Sequence, residues 1–166
     1  MQACEEIIFP LIKRHMASLE PAPQYNFERR GLQKLESILH FMTEDHYPTF
    51  LSKAAYMFCS VIGGHPFSNG NKRLAVALLS YFLIYNDYAF VVENAEELRK
   101  EFQKLFPHLK WEEVNAFHLP HEFFLYHLAL VIADRSQKGR MTFTEERAAV
   151  EAAIDFVTAK TPTSPS

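Results

Sequence analysis

Residues 65–73 read HPFSNGNKR and residues 74–84 read LAVALLSYFLI. The second stretch is apolar on every side except at Ser80, which predicts a helix wrapped by others rather than one lying on a surface. At 11 residues it falls short of the roughly 18 that a membrane span needs. The first stretch is the opposite in character: polar, glycine-containing and charged at its end. A polar loop lying between two of the most apolar helices of the chain is the feature around which the rest is expected to organise.

Working outward, Gly63-Gly64 is expected to stop the preceding helix and free the backbone for a change of direction. That helix is predicted to follow a turn at 45–48 and to run to about Ile62, with Pro48 suited to its first turn. Phe50, Leu51, Ala54, Met57, Phe58, Val61 and Ile62 would point inward. Leu32, Leu35, Ile38, Leu39 and Met42 trace one face of an earlier helix over 28–43. Residues 18–27, with Pro21 and Pro23, read as a connector. Ile7, Ile8, Leu11 and Ile12 suggest a short N-terminal helix interrupted at Pro10. Downstream, Asn86-Asp87 ends the central helix, 88–92 suits a short extended piece, and helices are expected near 95–106, 121–133 and 144–159. Residues 136–140 are polar, and the Thr/Pro/Ser stretch from Lys160, 161–166 above all, reads as a flexible tail. Residues 1–160 are expected to form a single mainly α domain.

Composition agrees with that class. Of the 166 residues 48% are hydrophobic and 15 are Phe, enough to bury a core and to exclude disorder over most of the chain. Five Gly and nine Pro are too few for a turn-rich β architecture. The net charge is −3 with no Lys/Arg stripe, so a nucleic-acid partner is not expected. Lys13-Arg14 and the cluster Glu28-Arg29-Arg30 read as solvated helix faces. No stretch reads as a signal-peptide core or a membrane span, so a cytoplasmic setting and no membrane partner are expected. Cys4 and Cys59 lack metal-ligand spacing, and Cys59 reads as a small buried hydrophobe. His108, His118, His121 and His127 gather in the last third, but His121 and His127 are too far apart for the zinc-protease pattern, and no metal is expected there.

The loop concentrates the chemistry. Gly70 lets the main chain approach a ligand closely, and Asn69 or Asn71 is suited to cap the helix that begins there. The unbonded N–H groups of a helix start attract an anion, Lys72 adds a mobile charge and Arg73 a bidentate phosphate fork. His65 is the side chain of the group able to exchange a proton near neutral pH. Together these residues suggest phosphate binding beside a general base.

The stretch His65–Arg73 resembles the signature of the Fic/Doc family, His-x-Phe-x-Asp/Glu-Gly/Ala-Asn-Gly/Lys-Arg. The likeness extends over about 28–106 and is strongest toward the Doc (death-on-curing) branch; no family pattern is visible in 107–166. It implies a mainly α, Fic/Doc-like domain, with the central helix following the active-site loop and extra helices added at the C-terminal end. It also implies that His65 deprotonates a hydroxyl on a target protein, that Phe67 anchors the loop, and that Gly70, Asn71, Lys72 and Arg73 cradle the phosphates of ATP. Lys72 stands where AMP-transferring members usually have a second Gly, and Val76 where they usually have a second Arg. The resemblance therefore implies phosphate transfer, as in a Doc-like toxin, ahead of AMP transfer by a Fic enzyme.

Asn69 departs from the pattern, standing where the family has an acidic residue that helps to hold Mg²⁺. A neutral amide suits that ion poorly. A non-catalytic, Fic/Doc-like binding or regulatory protein is the alternative reading. The family's inhibitory helix, Ser/Thr-x-x-x-Glu-Gly/Asn, is matched only in part by Thr142 and Glu146, with Arg147 following. A separate antitoxin-like inhibitor is at least as well supported as inhibition by this helix.

Overall fold

In the computed structural model, residues 1–15, 23–107, 119–134 and 141–161 are described. The helices are α1 (Phe9–His15), α2 (Arg29–Phe41), α3 (Phe50–Gly64), α4 (Asn71–Tyr85), α5 (Ala95–Leu105), α6 (Pro120–Ala133) and α7 (Phe143–Val157). Two short strands, β1 (Tyr88–Phe90) and β2 (Thr158–Lys160), pair antiparallel with Ala89 opposite Ala159. The fold is mainly α, as the sequence predicts. His108, His118 and the polar stretch 136–140 lie outside the described residues, as does the tail 162–166.

The N-terminal helix is interrupted near Pro10 in a specific way. Cys4–Ile8 forms a wider π-helical turn, closed by Phe9 N–H on the Cys4 carbonyl. Proline has no N–H to return to the previous turn and its ring crowds the carbonyl there, so a wider turn just before it relieves the clash.

α4 is central. Leu74 to Leu79 and Leu83 are buried, and the helix packs on α3, α6 and the N-terminal π turn. Its last turn departs from the expectation: Ile84 is 65% and Tyr85 74% exposed, because the helix leaves the core there before turning into β1. α3 is the second core element, flanked by α4 and α7, and supplies Met57, Phe58, Cys59, Val61 and Ile62 to the interior. It starts two residues after Pro48 rather than on it. Thr49 is the N-cap, with Ser52 N–H donating to Thr49 Oγ1 at 3.0 Å and Thr49 N–H to Ser52 Oγ at 3.1 Å.

Two chain-end expectations are corrected. The last helix stops at Val157, and Lys160 lies in β2 rather than in a frayed tail. Thr161 N–H and Oγ1 donate to the Asp87 carbonyl at 2.7 and 2.8 Å, closing the ribbon where Asp87 takes a left-handed backbone (φ 63°).

Gly63 and Gly64 do not stop α3; both lie inside it. A Cβ at Gly63 would meet nothing within 4 Å. Gly63→Ala is therefore expected to stabilise the chain by about 0.5–1 kcal/mol, by lowering the entropy of the unfolded state and raising helix propensity. The check is a higher urea midpoint at unchanged m; a lower midpoint would show that this position needs glycine.

Candidate functional site

Two left-handed residues bracket the loop. His65 ends α3 with φ 44°, ψ 61°, and Gly70 precedes α4 with φ 74°, ψ 11°. For a residue with a Cβ this region costs about 1–2 kcal/mol, and such strain persists only where the surroundings impose it. At position 70 glycine is required twice over, because a Cβ would overlap the Pro23 ring and the Tyr25 hydroxyl. The change of direction expected at Gly63-Gly64 is thus made one residue later by the histidine, which leaves the helix on an exposed corner.

Beneath the loop the chain builds a seat. Phe67 is 3% exposed, with Tyr25 at 4.9 Å (71° between rings) and Phe9 at 6.1 Å (83°). Edge-to-face pairs of this kind favour one ring orientation. Asn71 bridges Phe67 with both ends of its amide: Phe67 N–H donates to Oδ1 at 3.0 Å and Nδ2 donates to the Phe67 carbonyl at 2.7 Å. The Tyr25 hydroxyl donates to the Gly70 carbonyl at 2.9 Å. Burial pushes the Tyr25 phenol well above the ordinary tyrosine range, with Arg73 lowering it and Glu28 raising it, so the donor proton stays in place. Glu28 accepts from Ser68 N–H at 2.8 Å and from Ser68 Oγ at 2.6 Å.

Neither asparagine caps α4. The N-cap is Gly70 with no side-chain cap bond, Asn71 is committed to Phe67, and Asn69 Oδ1 accepts the Gly70 N–H at 2.6 Å. The first helical bond runs from Leu74 N–H to the Gly70 carbonyl, so the N–H groups of Asn71, Lys72 and Arg73 lie ahead of the intrahelical ladder. A helix start carries roughly half a positive charge, and half-buried Lys72 and Arg73 add two more. The expected contribution of Asn71 to an anion site therefore comes through its main chain rather than its amide.

This donor set fits nucleotide phosphates. It does not fit a magnesium ion held by the protein: the loop has no carboxylate, Asn69 turns its oxygen onto its own backbone, and the oxygens of Glu28 go to Ser68.

Tyr25 and Glu28 escape the sequence reading, one placed in a connector and the other on a solvated face; only their position in space marks them. The two residues of the signal at Thr142 and Glu146 sit in different settings. Thr142 is the N-cap of α7, accepting from Glu145 N–H at 3.3 Å while its own N–H donates to Glu145 at 2.6 Å. Glu146 is buried at an open pocket of about 530 Å³ with Gly63, Gly64, Cys59 and Phe143, next to the end of α3. His121 stacks on Phe90 at 4.2 Å and buried His127 sets Nδ1 3.2 Å from the Phe123 carbonyl. Burial lowers the His121 pKa, keeping that ring neutral against Phe90.

The protein is thus a small α domain whose central helix follows a loop that ends at Gly70, with His65 before it and Lys72-Arg73 after it. The sequence model of the Fic/DOC family matches residues 12–83, and over that span the chain is similar to this family. The match begins upstream of the 28–106 span expected from the motif, taking in the connector that holds Tyr25, and stops before α5. It is to the family as a whole, with no branch singled out, and it supports a Fic-type post-translational modifying enzyme. No curated protein and no solved structure matches the chain. Among the described residues, no helix is long and apolar enough to cross a membrane.

Proposed function

We propose that this protein transfers the terminal phosphate of ATP to a hydroxyl of a cytoplasmic target protein. The observation that carries the reading is the uncapped start of α4, with its N–H groups, Lys72 and Arg73, entered through a loop that begins at a strained histidine. In this scheme His65 takes the hydroxyl proton as the hydroxyl oxygen attacks the terminal phosphorus and the bond to the bridging oxygen breaks. Lys72, Arg73 and the helix start hold the phosphates and offset the charge that develops on them. ATP, when bound, supplies the phosphoryl group and its own metal-binding oxygens. Lys72 in place of a second Gly, and Val76, buried in the core, in place of a second Arg, favour phosphate over AMP transfer. A toxin role restrained by a separate antitoxin-like partner belongs to the same reading, since Arg147 follows Glu146 where the family's inhibitory helix has Gly or Asn.

One observation favours a second reading. The neutral side chain of Asn69 is hooked onto Gly70, as in a family member that keeps the fold and has lost efficient chemistry. A charge pair near 4 Å is worth about 4 kcal/mol at an effective dielectric of 20, and losing half of it weakens metal binding more than tenfold.

The test is label transfer from ATP carrying either γ- or α-phosphate label to proteins of a bacterial lysate in Mg²⁺, with wild type and Asn69→Asp side by side. Transfer of γ-label alone by wild type is expected, rising about tenfold in Asn69→Asp. α-Label transfer would make the protein an AMP-transferring enzyme. Transfer by Asn69→Asp alone would place the wild-type chain among the non-catalytic members.

A further inference from the structure

Glu28 stands at the N-cap of α2 yet makes no side-chain bond to the first turn of that helix. An N-cap side chain ordinarily accepts an N–H from its own helix. Here both carboxylate oxygens cross to the loop, 40 residues away, one on the Ser68 N–H and one on the Ser68 hydroxyl. Charge-assisted bonds of this kind are short and roughly twice as strong as neutral ones.

The place where they act matters. Phe67 is held by its ring and by Asn71, and the Gly70 carbonyl by Tyr25. Between these two ties lie Ser68 and Asn69, both exposed. Among the described residues, the short Asn69–Gly70 bond is the one other hydrogen bond that defines that apex. A carboxylate beside an anion cradle opposes the ligand by its charge. Its presence there is intelligible if the geometry it imposes outweighs that repulsion.

We infer that Glu28 is a positioning residue, fixing the Ser68–Asn69 apex so that the N–H groups at the start of α4 stand ready before the nucleotide arrives. The inference rests on the nucleotide-binding reading of the loop. Asn69 is turned onto Gly70 within the same arrangement, so Glu28 also keeps the amide at the metal position in its observed orientation.

The test uses the full chain with Glu28→Ala, Glu28→Gln, Ser68→Ala and the double substitution Glu28→Ala/Ser68→Ala, each checked for helical content. Two quantities are read: hydrogen exchange at the Ser68 amide, and binding of a fluorescent ATP analogue in Mg²⁺ without any target. In Glu28→Ala the Ser68 amide is expected to exchange about tenfold faster and the analogue to bind about tenfold more weakly. Glu28→Gln should be intermediate, because its amide oxygen can keep one of the two bonds. Ser68→Ala should lose less than Glu28→Ala, and the double variant no more, since the two side chains act through one contact. Unchanged exchange in Glu28→Ala would overturn the tie itself. Faster exchange with equal or tighter analogue binding would show that the tie is structural only and overturn the positioning role. Absence of analogue binding by wild type, with the Ser68 amide still released in Glu28→Ala, would overturn the nucleotide reading and the role built on it, while the tie would stand.

Discussion

Phe67→Ala is expected to destabilise the chain by about 3–5 kcal/mol, the range for removing a large aromatic side chain from a packed site. The Phe67 ring is 3% exposed and sits edge-on to Tyr25 and Phe9, so truncation empties a space on which three segments converge: the N-terminal helix, the turn at Tyr25 and the loop. These segments are held by other bonds and cannot close the hole freely. The cost should appear as a drop in the urea midpoint at unchanged m, with weakened nucleotide binding under conditions where the variant is still folded. A loss below about 1 kcal/mol would mean that the ring is not an anchor. The same seat has a second wall in α2. A Cβ at Gly31 would fall 2.5 and 2.6 Å from the Phe67 ring and 2.9 Å from the Pro66 carbonyl oxygen. Helix propensity alone would favour Gly31→Ala by about 1 kcal/mol, but backbone at Pro66 cannot swing aside, and overpacking of this kind costs about 1–3 kcal/mol. Gly31→Ala and Gly63→Ala are thus one substitution in two helices with opposite expected signs, because one glycine faces the loop anchor and the other faces open space.

The second large effect is on activity. Replacing His65 is expected to lower label transfer by about 10²- to 10⁴-fold, the range for loss of a positioned general base. The choice of replacement matters, since position 65 is left-handed at φ 44°. Asparagine visits that region more readily than alanine, so His65→Asn removes the imidazole with the least disturbance of the turn. Analogue binding should stay within about twofold of wild type, so that the loss falls on the chemical step rather than on nucleotide affinity. Transfer retained in His65→Asn would remove the histidine from the mechanism. Transfer lost together with binding would make it part of the cradle instead of the base.

Most of the architecture could be read from local pattern. The apolar run at 74–84 sits in the central helix, α5 and α6 lie within a residue or two of their expected limits, and the motif at 65–73 lies where a buried helix begins. Where the reading slipped, the alternatives were locally equivalent. A glycine pair at a helix end looks like a stop, but glycine tolerates helical backbone as well, and the left-handed residue proved to be the histidine one step later. Asn69 and Asn71 look like caps, yet the same amides can turn back onto neighbouring main chain, which is what both do.

By itself the sequence determined the helices, through the spacing of apolar side chains, and the identity of the loop, through a nine-residue pattern of unusual composition. Tertiary structure alone decided how the loop is held. Tyr25 meets Gly70 across 45 residues and Glu28 meets Ser68 across 40, while β1 finds its partner at the far end of the described chain. Periodicity records which face of a helix is buried, because burial recurs every turn. A single hydrogen bond between distant residues repeats nowhere along the chain, and it takes shape only when packing has brought its two ends together.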